Sequence, residues 1–241
     1  MIFSRKKTAT SGVFYGWYVL VASFFLLFFQ SGARFSFGIM FKPMATELAW
    51  NRASISSAFF LNSVFFALTL SLAGKLYDRY GPRLVILAST VFLTVGYIST
   101  SQVDALWQFH LFYGVITAVG LGGASVPLIA ALMSKWFARR RGLAISMALS
   151  GNCLGQFVMV PIVNWFVLAY GWRLSYVLLG LVILAGNILL VLTVIKADPE
   201  EMGFKPYGYD SADTAATTAK PDNTIPQPND LSLIQAGKTA S

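Results

Sequence analysis

Arg34 stands inside an apolar stretch that runs from about residue 14 to 40, roughly six residues, or about 9 Å of helix rise, from its far end. A guanidinium facing lipid costs about 2.5–3.5 kcal/mol on insertion scales, so this one calls for a cavity or a partner. No acid falls inside any long apolar stretch of the chain. A permanently charged fork of N–H donors without a protein counter-ion suits a carboxylate ligand. Snorkelling toward head groups is the alternative that its depth allows. Gln30 lies one helical turn earlier and shares its face. Asn62 falls in the middle of another apolar stretch, and Asn152 with Gln156 makes an i, i+4 pair in a third. These amides are either ligand-binding groups or ordinary interhelical hydrogen bonds, typically about 0.6–2 kcal/mol each.

The elements that must hold these groups are membrane spans. Of 241 residues, 56% are hydrophobic and 12% charged, against about a quarter charged in a soluble domain. A soluble domain of this size could not hide so much apolar surface. Six stretches, near 14–40, 53–77, 83–102, 105–134, 142–168 and 173–196, are each long enough to cross about 30 Å as a helix. Short connections suit antiparallel neighbours. The first stretch is too long for a signal-peptide core and is read as retained.

Basic residues then set the orientation. Arg5, Lys6 and Lys7, then Lys75, Arg79 and Arg83, then Lys135, Arg139, Arg140 and Arg141, and finally Lys196 and Lys205 fall on one side of a six-crossing chain. Lys42, Arg52 and Arg173 fall on the other. This positive-inside pattern predicts cytoplasmic termini, and it accounts for the net charge of +8 without nucleic acid. The three-arginine run is read as a topology-setting loop, with anionic lipid head groups as the alternative.

Other chemistry is poorly supported. Cys153 and His110 are the only residues of their types, which leaves no intramolecular disulfide and little basis for a zinc site or a Ser-His-Asp triad. "GLGGAS" sits in an apolar stretch with no lysine after it, so it is not a phosphate loop, and no cofactor is expected. The Gly114, Gly120, Gly122, Gly123 and Pro127 set, and Gly151 with Gly155, thin their helices for close packing. Asp104 and the acids of the tail read as solvated. His110 is either a proton-sensing group or an incidental interfacial residue.

Three passages together resemble the major facilitator superfamily, in its monocarboxylate and oxalate/formate branch. The first is "GKLYDRYGPR", where Gly74, Asp78, Arg79, Gly81 and Arg83 match the loop between helices two and three. The second is "WFARRRGLAISMALSGNCLG", which departs from that branch at Ser146 and Ser150, both still small. The third is "DPEEMGFKPYG", and "YGWYVL" with "FGIMFKPM" adds to it. The resemblance covers about residues 14–208. It implies an all-α membrane protein whose six transmembrane helices form one half of a major-facilitator fold, built as two inverted three-helix repeats. Tyr80-Gly81-Pro82-Arg83-Leu84 and Tyr170-Gly171-Trp172-Arg173-Leu174, alike at four of five positions, fit such a repeat. It further implies that helices one, two, four and five line a central cavity. Asp78 and Arg79 would belong to a cytoplasmic gate closing on a second half, with Gly74 and Gly81 allowing close backbone approach.

The expected organisation is a basic cytoplasmic N-terminus at 1–13, a six-helix membrane domain at 14–196 and a polar, largely disordered cytoplasmic linker at 197–241. The expected function is secondary transport of small organic anions, monocarboxylate-like, in the plasma or cell inner membrane, by symport or antiport. Arg34, Gln30, Asn62, Asn152 and Gln156 are the candidate substrate groups. The chain supplies one half only, so its partners are the bilayer, the anion, and a second six-helix half or a second copy of itself. The alternative is a truncated or non-transporting membrane module that needs another chain. An enzyme is the poorest option, since no nucleophile–base or metal constellation is present.

Overall fold

A computed structural model describes residues 15–137 and 140–195, and within them the chain is almost entirely helical. Helix α1 spans Tyr15–Phe35 and α2 Phe37–Glu47. Helix α3 spans Arg52–Ser101 and the short α4 Leu106–Phe109, followed by a π-helical segment at His110–Ile116. Then come α5 at Thr117–Gly122, α6 at Val126–Trp136 and α7 at Arg141–Thr193. Arg5, Lys6, Lys7, Arg139, Lys196, Lys205, the "DPEEMGFKPYG" passage and the polar tail lie outside the described residues.

Four helical runs are long and apolar enough to cross a membrane: Tyr15–Glu47, Arg52–Ser101, Leu106–Trp136 and Arg141–Thr193. The six apolar stretches read from the sequence are thus gathered into four runs. Helices α3 and α7 hold 50 and 53 residues, which would reach about 75–80 Å if straight. Neither stays regular throughout. Gly81 has φ 79° and ψ 165°, and Gly171 has φ 78° and ψ 167°. A left-handed φ is open to glycine and costly for residues with a Cβ, so each glycine turns its helix. Pro82 follows at once and is buried, at a first-turn position where its missing N–H costs little. The two Tyr-Gly-x-Arg-Leu stretches therefore share a backbone conformation as well as residue types.

Close contacts through glycine show how the runs pack. A Cβ on Gly151 would lie 2.2 Å from the Phe24 carbonyl oxygen, one on Gly155 2.1 Å from that of Phe28, and one on Gly32 2.4 Å from Met159 Cβ. The paired numbers rise together, so α1 and this part of α7 run parallel. Gly114 and Gly122 close in the same sense on Leu61 and Thr69 of α3. Beyond Gly81 the sense reverses. Gly96, Gly120 and Gly123 meet Thr117, Leu93 and Ser89, and here one number rises as the other falls. The two parts of α3 thus run in opposite directions beside the same partner.

Several local expectations change. A Cβ on Gly74 would meet nothing within 4 Å, so Gly74 makes no close approach among the described residues. Ser146 and Ser150 are exposed, and their hydroxyls donate to the Gly142 and Met147 carbonyls. Asp104, read as simply solvated, accepts from Arg173 Nη2 at 2.9 Å. Arg173 Nε also donates to Glu47 Oε1 at 3.1 Å, its Nη1 donates to the Ser101 carbonyl at 3.1 Å, and Trp172 Nε1 donates to Glu47 Oε2 at 2.7 Å. Arg173 so ties the ends of α2 and α3 to α7. At the matching repeat position Arg83 is exposed and makes no ion pair among the described residues, and neither does Asp78.

Candidate functional site

Arg34 lies in the last turn of α1. The helix does not stop for long. A bend at Ser36, whose hydroxyl donates to the Gly32 carbonyl at 2.6 Å, leads directly into α2. The helical run therefore extends to Glu47, and Arg34 stands 13 residues, about 20 Å of rise, before its end, with Lys42 between them. The guanidinium carbon sits 4.3 Å from the centre of the Phe66 ring. Among the described residues Arg34 has no acid or hydrogen-bond acceptor as a partner. Stacking on a ring face leaves the in-plane N–H donors available.

Arg34 lines a cavity of about 390 Å³ together with Gln30, Ser31, Phe66, Ser125 and Asn152. Gln30 is buried, and its Nε2 donates to the Leu121 carbonyl, while its Oε1 has no partner. Ser31 Oγ and Ser125 Oγ are likewise buried and unpartnered. Orphaned buried polar atoms are rare in folded proteins, and three of them belong to residues that line one cavity. Asn152 is half-buried, and its Oδ1 accepts from Gln156 Nε2 at 3.0 Å, so the pair meets as its i, i+4 spacing requires.

Asn62 is not on this wall. It is fully buried, and its Nδ2 donates to the Tyr113 carbonyl at 2.8 Å, inside the π-helical segment. A π turn breaks the i, i+4 ladder, and a side-chain donor is one way to satisfy the backbone there. Gln156 reaches the cavity only through Asn152. Gly74, Asp78, Arg79, Gly81 and Arg83 lie apart from it, on the turn in the middle of α3.

The sequence missed the break between α5 and α6. Helix α5 ends at Gly122 and α6 starts at Val126, and Ser125, Val126 and Pro127 all line the cavity. The first turn of α6 thus opens onto the space that holds Arg34. Pro127 has no N–H to offer, so the Val126 N–H and the positive end of the helix dipole are what favour an anion there. Ser125, its N-cap residue, makes no side-chain capping bond and is 2% exposed. "GLGGAS" does not form a phosphate loop, but it does deliver a helix N-terminus to a cationic cavity. The repeated glycines and the proline after Ser125 were the available signal.

A family model of the Major Facilitator Superfamily matches residues 23–221, most of the chain. The chain belongs to the Major Facilitator Superfamily. Among curated proteins it is 27% identical to monocarboxylate transporter 7 of Homo sapiens over 169 residues, 69% of this chain and 32% of that one. It is 25% identical to the oxalate:formate antiporter of Oxalobacter formigenes over 193 residues, 78% of this chain and 44% of that one. A riboflavin transporter of Trypanosoma brucei brucei is 26% identical over 189 residues, 77% of this chain and 34% of that protein. The chain spans from about a third to under half the length of these relatives. All three are named as carriers, and the cargoes in their names differ in size and charge. Within this superfamily member, the cavity beside Arg34 gathers three residues with unpartnered polar atoms, while Ser23, Asn62 and Asn187 carry others elsewhere among the described residues.

Proposed function

We propose that the chain is the amino-terminal half of a secondary transporter for small organic anions, monocarboxylate-like, and that Arg34 anchors the carboxylate. The observation that carries this is the cavity itself. Among the described residues, a cation without a counter-ion, the side chains of Gln30, Ser31 and Ser125, each with a buried unpartnered oxygen, and the first turn of α6 line one space. A carboxylate accepts from Arg34 and from serine hydroxyls, and it complements the helix end. Asn152 adds a neutral hydrogen-bonding group that fixes orientation, and Gln156 positions Asn152. The free Oε1 of Gln30 is an acceptor and would serve a donor elsewhere on the ligand.

In this reading the chain crosses the membrane six times, with a turn at Gly81 and another at Gly171, as two inverted three-helix repeats in the plasma or cell inner membrane. The parallel pairing of α1 with α7, and the opposite senses of the two parts of α3, support alternating crossings. The basic clusters support cytoplasmic termini. Asp78 and Arg79 would belong to a cytoplasmic gate that closes on a second half, and Asp78, like Arg83, is exposed and makes no ion pair among the described residues. The relatives' greater length favours such a second half, from another chain or from a second copy. It equally favours the other reading, a membrane module that does not transport until it joins another chain.

Counterflow in proteoliposomes separates these. Reconstituted protein preloaded with unlabelled lactate is expected to accumulate labelled lactate, and Arg34→Gln to abolish this at equal protein level. Uptake that appears only when a second half is co-reconstituted supports the module. Uptake with unchanged kinetics in Arg34→Gln refutes the role of Arg34.

A further inference from the structure

We propose that the bound anion carries an aromatic ring, held in a pocket formed by Phe37, Phe41 and Phe59 while its carboxylate rests on Arg34. This deepens the anion-carrier reading and rests on it. Arg34 lines a second cavity, of about 310 Å³, besides the one described above. The other residues there include Phe37, Gly38, Phe41 and Phe59, and none of them is charged. Arg34 is the one cation that lines either space among the described residues, and its place at their junction matches a ligand with a carboxylate at the edge of an apolar body. The other guanidinium nearby, that of Arg52, lies 5.8 Å from the centre of the Phe41 ring.

The pocket wall is specifically aromatic. Phe37 stacks on Phe59 with centroids 5.2 Å apart and planes 16° from parallel, and on Tyr113 at 4.7 Å and 21°. Tyr113 stacks in turn on Phe109 at 5.3 Å and 10°. Phe41 meets Phe37 edge-on, at 6.1 Å and 89°. The rings of Phe37, Phe59, Phe109 and Tyr113 thus form a near-parallel cluster, with Phe37 also 6.4 Å from Phe109, across α2, α3, α4 and the π-helical segment. Phe37, Phe109 and Tyr113 are buried within it, whereas Phe59 is half-buried and lines the cavity. A ligand ring entering the cavity therefore meets a prearranged aromatic surface. Offset stacking and edge contacts favour such a ring over a saturated one of the same size. Gly38 lies at the exposed edge of this space, and a Cβ there would meet nothing within 4 Å, so a larger side chain can be added at the pocket without a clash with the core.

The test is equilibrium binding of radiolabelled propionate, 3-phenylpropionate and 3-cyclohexylpropionate to the purified chain in nanodiscs. The expected result is that 3-phenylpropionate binds about tenfold or more tighter than propionate. It should also bind about threefold or more tighter than the cyclohexyl analogue. Gly38→Leu should reduce the phenyl-over-propionate ratio to near unity. Phe59→Leu should remove the phenyl-over-cyclohexyl preference, and it serves if Gly38→Leu does not fold. Equal binding of 3-phenylpropionate and propionate, with both lost in Arg34→Gln, overturns the aromatic pocket and leaves the anion-carrier reading standing. Equal or tighter binding of the cyclohexyl analogue also overturns the aromatic claim. Failure of all three acids to show Arg34-dependent binding overturns the underlying reading, and this proposal with it.

Discussion

Substituting Gly155 by alanine should force apart the two helices that carry the candidate anion site. An added Cβ would lie 2.1 Å from the Phe28 carbonyl oxygen, whereas carbon and carbonyl oxygen settle at about 3.3–3.6 Å. The obstacle is backbone, so relief requires α1 and α7 to separate by roughly 1 Å rather than a side chain to rotate. Overpacking of this kind costs about 1–3 kcal/mol. For a chain of this size that lowers Tm by about 2–12 °C, taking 2–4 °C per kcal/mol. Gly151→Ala meets the Phe24 carbonyl oxygen at 2.2 Å and should behave alike. The double variant is the sharper test. Once the helices have parted for one methyl, the second fits at little further cost. The joint effect should therefore fall short of the sum by about 0.5 kcal/mol or more. Gly74→Ala is the control, since its Cβ meets nothing within 4 Å. It should be neutral, or stabilising by up to about 1 kcal/mol through helix propensity. Thermal unfolding in detergent, followed by circular dichroism, reads all four proteins. Additive losses, or a Gly155→Ala protein as stable as Gly74→Ala, would refute the packing argument.

Two other predictions follow from the repeated turn and from the ion cluster. Gly81→Ala and Gly171→Ala should each lower stability by about 1–2 kcal/mol, because both glycines hold the same left-handed φ; an unaffected melting curve in either would contradict that geometry. Arg173→Ala should lower Tm by a few degrees, since it releases Glu47, Asp104 and the Ser101 carbonyl together. These ion pairs are partly exposed and worth about 1 kcal/mol or less each, so the difference from wild type should shrink in 1 M salt, and a salt-independent difference would assign the loss to packing instead.

The parts of this protein that the sequence disclosed are those governed by transfer energies and by backbone stereochemistry. Apolar length marked the helical runs, and the two Tyr-Gly-x-Arg-Leu stretches marked the turns at Gly81 and Gly171. Arg34 was conspicuous because an arginine in an apolar run has few comfortable places. Besides the break between α5 and α6, three features escaped. The π-helical segment at His110–Ile116 has the same apolar content as an α-helix, and periodicity over seven residues does not separate the two. The continuation of α1 into α2 passes Lys42 and Pro43, which read as an ending, although Pro43 lies within α2. The aromatic pocket was invisible because Phe37, Phe41 and Phe59 read equally as core or as lipid-facing surface. Only the packing of α2 against α3 distinguishes them. Asn62, whose type and depth suggested a ligand contact, lies off the cavity beside Arg34, and its Nδ2 donates to a helix backbone while its Oδ1 has no partner among the described residues.

The central claim is that Arg34 recognises the negative charge of the ligand. The most direct measurement is a cycle between that charge and this residue, using propionate and its uncharged analogue propionamide with wild-type and Arg34→Gln protein in equilibrium binding. A charge-assisted hydrogen bond is worth about 1.5–3 kcal/mol, so wild type should prefer the anion by about tenfold or more. Arg34→Gln should bind the two with nearly equal affinity, because the pairing partner of the charge is gone. A variant that keeps the full preference for the anion would show that the charge is read elsewhere, and would contradict the account.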